Sequence, residues 1–228
     1  MRKHLFFLFL LLTGVVYGQR TLLPIGTGKI AGTTFDPTRK GSQVTLSNGN
    51  LTLNGLSSGG NGACVLTSGL KSSGKWYALF QVNTMGSATG IADIGILLST
   101  YTTDLNSGQY VGSLATGWGY HTQGASVYKT HSGLLGYGTA TTFTSGDYIA
   151  VALDLDNGAV YFGKVVSGSM VWQNGGDPTS GASKTNAAFT GLTGSFYVAA
   201  DIWGGTPAGS ITYMQTPPYA PPTGYTTL

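Results

Sequence analysis

A chain of 228 residues with 41% hydrophobic content can bury one sizeable core and is too apolar to be disordered. Only 8% of its residues are charged, glutamate is absent and glycine occurs 37 times, a composition that excludes a predominantly helical protein and favours strands joined by turns. The net charge of +3 comes from Arg2, Lys3 and Arg20, and from residue 21 onward the basic and acidic side chains balance, so the basic face of a nucleic-acid binder is missing.

The first predicted element is the start itself. "MRKHLFFLFLLLTGVVYGQR" has a basic head, an apolar run from Leu5 to Leu12, and Val16 and Gly18 at the −3 and −1 positions before Gln19. That is the layout of a signal peptide over residues 1–18, and its rival is an uncleaved membrane anchor. Export is therefore expected, with membrane contact only through residues 1–18 if they stay uncleaved. Residues 19–32 read as an approach segment, and residues 33–216 carry the domain.

From Thr33 short apolar runs alternate with turn signals. "QVTLSNGNLTL" places Val44 and Leu46 before an Asn-Gly pair and Leu51 and Leu53 after it, which predicts a hairpin. "KWYALFQV", "ADIGILLS" and "GSFYVAADIW" predict further strands, and no window beyond the leader has a helical period. Cys64 is the one cysteine, so an intrachain disulfide and a cysteine metal cluster are excluded, and a small buried apolar side chain is expected there. The Pro-rich end, residues 217–228, is expected to be extended, laid over the domain or leaving it.

"DYIAVALDLDNGAVYF" holds three aspartates in ten positions. With Asn157-Gly158 as a two-residue type I′ turn, Asp156 pairs with Ala159, Leu155 with Val160 and Leu153 with Phe162. Ile149, Val151, Leu153, Leu155, Val160 and Phe162 then share one face, with Asp154, Asp156 and Tyr161 on the other. An EF-type calcium loop counted from Asp154 would put Gly158 at position 5 and Val165 at position 12, so that pattern fails, although a looser cation site using Asp154 and Asp156 stays open. A glycosidase pair has few candidates among eight scattered aspartates, and of these Asp154 and Asp156 share a strand face. Nucleophilic catalysis has only His121 and His131 beyond the leader and no G-x-S-x-G elbow. No catalytic residue, cofactor or metal is expected.

The aromatic side chains are the stronger lead. Trp118, Tyr120, His121 and Tyr128 cluster in "GWGYHTQGASVY", which reads as a flexible Gly-rich loop, and Trp172 lies in the enlarged loop "SGSMVWQNGGDP". Exposed Trp and Tyr offer large contact area at low entropic cost, so these five residues are the candidate partner-binding set. Trp76 and Trp203, in strand-like runs, are expected in the core.

Several of these phrases also resemble one family in the expected order. "GDYIAVALDLDNGAVYF" resembles the two central strands of the SPRY (B30.2-like) domain. "TFDPTRKGSQVTLSNGNLTL", "SSGKWYALFQV", "ADIGILLS", "GWGYHTQG", "AAFTGLTGSFYVAADIW" and "TPPYAPPTGYTTL" resemble other segments of the short SPRY modules of bacteriophage and metagenomic proteins. The sequence departs from that pattern at Ala78, where Glu is usual, at "ITYMQT", and in a longer stretch between Tyr161 and Phe189. The resemblance implies an all-β, helix-poor, bent antiparallel β-sandwich of concanavalin-like jelly-roll architecture. It also implies partner binding through loops at one end and no catalysis. The resulting expectation is a virion protein contacting neighbouring subunits or a host surface. The alternatives are a secreted lectin-like adhesion module that binds glycans, and, from another class, a small hydrolase.

Overall fold

Runs of four to ten residues with apolar side chains on one or both faces can satisfy their backbone only by pairing, and the chain does so throughout. The structure, a computed structural model, describes residues 32–86, 90–101, 105 and 108–228. The predicted leader and the approach segment before Gly32 lie outside the described residues. Among the described residues no helix is long and apolar enough to cross a membrane.

In chain order the strands are β1 (Phe35–Lys40), β2 (Val44–Ser47), β3 (Thr52–Gly55), β4 (Asn61–Leu66), β5 (Lys75–Thr84) and β6 (Ile91–Leu98). There follow β7 (Gly117–Gln123), β8 (Ser126–Thr130), β9 (Leu134–Gly136), β10 (Tyr148–Asp154), β11 (Ala159–Val166) and β12 (Ser169–Trp172). The last four are β13 (Phe189–Thr190), β14 (Phe196–Trp203), β15 (Ser210–Tyr213) and β16 (Thr226–Thr227). One sheet runs β1-β4-β14-β6-β7-β8-β9; the other runs β12-β11-β10-β5-β15-β3-β2, with β13 beside β11 and β16 beside β5. All named pairs are antiparallel except β16 with β5.

The core lies between the sheets. Ile94, Ile96, Phe196, Val198 and Ile202 face it from the first sheet, and Phe80, Val151, Leu153, Val160 and Phe162 from the second. Full burial of each such side chain is worth about 1.5–3 kcal/mol. The outer faces are covered as well, one around Val65, Leu97, Val111 and Tyr197, the other around Tyr77, Leu79, Tyr161 and Tyr225. Ala78, at the position where Glu was expected, is a core residue opposite Val151, which is why an apolar side chain stands there.

The Asn-Gly hairpins differ from the two-residue expectation. In β2–β3, Leu46 pairs with Leu53 and Val44 with Gly55, and Asn48, Gly49 and Asn50 all take positive φ (52°, 62° and 66°). In β10–β11 the last pair is Asp154 with Ala159, so Leu155, Asp156, Asn157 and Gly158 form a four-residue turn. Of these four only Gly158 has positive φ (65°), which rules out the expected type I′ turn. The slip is two residues, and a strand's faces repeat every two, so the predicted core face survives intact.

The Pro-rich end lies over the domain. Thr226 and Thr227 extend the edge of β5 at Trp76 and Tyr77, beyond the stretch that β15 occupies. The Leu228 N–H donates to the Tyr77 carbonyl at 3.0 Å, and the Tyr213 hydroxyl donates to the Leu228 carbonyl. The lengthened stretch after Tyr161 is β12 followed by short 3₁₀ segments at Gln173–Gly175 and Pro178–Ser183, the second capped by Asp177, which accepts from the Thr179 N–H at 2.8 Å.

Candidate functional site

Asp154 and Asp156 are occupied within the hairpin. Asp154 is fully buried, and its Oδ2 lies 2.8 Å from Lys75 Nζ. It also accepts from the Asn157 backbone N–H at 3.1 Å and from Asn157 Nδ2 at 2.8 Å. Asp156 accepts from the Gly74 N–H at 2.7 Å. The turn is closed further by Gly158, where a Cβ would stand 2.7 Å from the Leu192 carbonyl oxygen. These donors hold Asp154 between β5 and the turn, and the Asp156 contact ties the turn to Gly74.

The five aromatic candidates separate into distinct environments. On β7 side chains alternate, so Trp118 and Tyr120 point to the core and His121 to the outer face. Tyr120 is fully buried, its ring 4.9 Å from Phe143 and 5.7 Å from Tyr137, and its hydroxyl donates to the Thr141 carbonyl. Burial pushes its phenol well up from the ordinary range. His121 is 3% exposed. The expectation of an exposed contact at these two positions is therefore corrected: a strand, not a flexible loop, carries them inward. The glycines that suggested flexibility serve close packing. A Cβ on Gly119 would stand 2.6 Å from the Val111 carbonyl oxygen, and that oxygen accepts from Thr130 Oγ1 at 2.7 Å. The segment around Val111 thus lies directly on the sheet.

Trp118 is half-buried at the end of the sandwich. Its indole stacks on His131 at 4.5 Å and meets Phe196 edge-on at 5.5 Å. His131 donates from Nδ1 to the Gly117 carbonyl at 2.9 Å and touches Phe189, over which Lys129 sits at 4.9 Å. Lys129 is opposite Leu135, and Tyr128 is opposite Gly136, so this aromatic end runs directly into the edge strand β9. There Leu134 and Leu135 are 43% and 41% exposed. The leucines were not singled out in the sequence; "GLLG" between glycines is the one signal that could have found them. Trp172 packs elsewhere, over Gly163 on the outer face of the second sheet. Trp76 and Trp203, expected in the core, are half-buried: the Trp76 ring carries Lys71 Nζ at 3.9 Å.

A second polar feature was missed by sequence. Asp201 on β14 pairs with Asp93 on β6, Asp93 with His121 on β7, and His121 with Tyr128 on β8. These residues form a row across the outer face of the first sheet. Asp93 and Asp201 are fully buried, and His121 Nδ1 donates to Asp93 Oδ1 at 2.8 Å. Tyr110 lies against the His121 ring at 5.2 Å. Burial raises both carboxyls from their ordinary range, the His121 contact partly offsetting this for Asp93 and the neighbouring Asp93 charge adding to it for Asp201. Burial alone would lower the His121 imidazole, but the Asp93 carboxylate turns the net direction upward. A lone Asp in each of two apolar strands was the available signal. Among the described residues no group of three or more His, Cys, Asp or Glu side chains is placed to hold a metal ion.

No family model matches the sequence, and no curated protein matches it. Solved structures do resemble it. The TRIM65 PSpry domain aligns at 14% identity with a TM-score of 0.54, over 80% of this chain and 92% of that one. The SPRY domain of human HERC1 aligns at 17% identity and a TM-score of 0.52, over 80% of this chain and 98% of that one. Stonustoxin aligns at 17% identity and 0.53, over 80% of this chain but only 27% of its own length. The fold is thus the SPRY (B30.2-like) β-sandwich that the sequence phrases led one to expect.

Proposed function

We propose that the chain is a non-catalytic binding and structural module that docks a protein partner on the β9 edge and the aromatic end beside it. The observation that carries this is the open strand β9, bonded to β8 on one side, with Leu134 and Leu135 both exposed. Such an edge offers unpaired backbone groups and apolar side chains together, the arrangement that β-strand addition uses. Tyr128, half-buried opposite Gly136, and the Trp118–His131 stack extend it with rigid contact area. The SPRY fold, a scaffold for protein–protein contacts, supports the same reading.

The phage-type phrases and the leader-like start support a reading in which this module sits on a virion that incorporates exported proteins and its partner is a neighbouring subunit or a host surface protein. The test is recovery of the chain with purified virions, and its loss from them on Leu135→Asp while the variant's Tm is unchanged. A second reading, a secreted lectin-like adhesion module, draws on the half-buried indole of Trp172 on the other face. Absence from virions together with glycan binding that disappears on Trp172→Ala would replace the first reading with the second.

A further inference from the structure

Away from the proposed docking edge, the outer face of the first sheet holds oxygens with no partner. Asp201 Oδ1 and Oδ2, Asp93 Oδ2 and Asn61 Oδ1 are all buried and accept no hydrogen bond. They come from three adjacent strands: Asp201 is opposite Asp93, and Asn61, 4% exposed, is opposite Trp203 and therefore diagonal to Asp201. Ala63 and Val65, which alternate with Asn61 along β4, belong to the outer cluster, so all three polar side chains share that face. Opposite residues hold their Cβ atoms about 5 Å apart and diagonal ones about 7 Å, so Asp201, on the middle strand, stands within side-chain reach of both Asp93 and Asn61.

Such a set cannot be left as it stands. Buried polar atoms are costly without partners, and two buried carboxylates cost more. His121 supplies one donor, to the remaining carboxylate oxygen, Asp93 Oδ1. No lysine or arginine among the described residues pairs with either carboxylate. A proton shared between the carboxyls would leave the Asn61 amide oxygen orphaned, since an amide oxygen gains nothing from a proton held elsewhere. A cation that takes oxygen ligands satisfies all four atoms at once.

We propose that Asp93, Asp201 and Asn61 form a binding site for a hard divalent cation of the calcium class. The donor set is two carboxylates and an amide oxygen, with water completing a shell of six to eight oxygens. It is all oxygen, which suits calcium above zinc. Only two of its members are acidic, so the site is built from the amide as much as from the acids. A bound ion would tie β4, β14 and β6 together.

The experiment uses the full chain, freed of metal with a chelator. Calcium at about 100 times its dissociation constant raises the Tm by about 5–10 °C, reversibly with chelator. Terbium replaces calcium and luminesces on excitation of tryptophan, Trp203 being opposite Asn61. The isosteric Asp201→Asn abolishes both signals, and Asn61→Ala weakens terbium binding by roughly tenfold or more. No Tm shift and no luminescence up to about 10 mM calcium, about ten times the weak end of extracellular calcium sites (~1 mM), overturns the proposal. A calcium response retained by Asp201→Asn, or preference for zinc over calcium, overturns it equally.

Discussion

Replacing Asp154 with alanine tests whether the aspartates of the β10–β11 hairpin are structural. The carboxylate is fully buried and takes three donors: Lys75 Nζ at 2.8 Å, the Asn157 N–H at 3.1 Å and Asn157 Nδ2 at 2.8 Å. A hydrogen bond to a charged group contributes about 1.5–3 kcal/mol, and all three donors here bond the carboxylate. Their sum is an upper bound. The Lys75 side chain is 24% exposed, so its ammonium is rehydrated when the carboxylate goes, and the penalty stays below that of a fully stranded charge. The expected loss is about 3 kcal/mol, or about 6–12 °C in Tm for a domain of this size. Urea denaturation reads it directly, with the m-value unchanged. A double-mutant cycle with Lys75→Ala should give a coupling energy of about 1 kcal/mol or more. A loss under about 0.5 kcal/mol, within the range of ordinary surface substitutions, or strict additivity with Lys75→Ala, would refute the assignment.

Other substitutions and titrations read different parts of the fold. Tyr120→Ala should cost about 4 kcal/mol as a core truncation, whereas Tyr128→Ala, at the half-buried rim, should cost under about 1 kcal/mol, both by urea denaturation. Cys64 is buried, its thiol pushed up to about 12 by burial, so it should stay unreactive to a disulfide reagent near neutral pH and become reactive on unfolding. Burial likewise pushes Tyr213 up to about 12, whereas the unfolded chain's tyrosine ionises near pH 10. The unfolded state then binds fewer protons above about pH 10, so stability should be level below that pH and fall between pH 10 and 12. Tyr213→Phe should flatten part of that fall, and an unchanged profile would contradict it.

How far the sequence carried depends on what each feature needs. Strand faces repeat every two residues, so Ile149, Val151, Leu153, Val160 and Phe162 could be assigned to the core even with the turn misread by two positions. The role of Asp154 could not be read locally, because its partner Lys75 lies on β5, far back in the chain. Glycines around Trp118 looked like a mobile loop, yet Gly119 is there to admit the Val111 segment. The same misreading placed Tyr120 and His121 outside. The Asp93–Asp201 row and the exposed β9 edge follow from strand order, and strand order is a long-range property that no short phrase encodes. The lone aspartates in two apolar strands were visible; that they would be neighbours was not.

The claim that the β9 edge is the partner face has one direct test. A photo-crosslinking amino acid placed at Leu135 is compared with the same group at Ser58, exposed near the opposite edges of the two sheets. The chain is irradiated in its native setting, and adducts are identified by mass spectrometry. A discrete protein adduct from position 135 and none from position 58 is the predicted result. An adduct at 58 alone, or none at 135, would contradict the account.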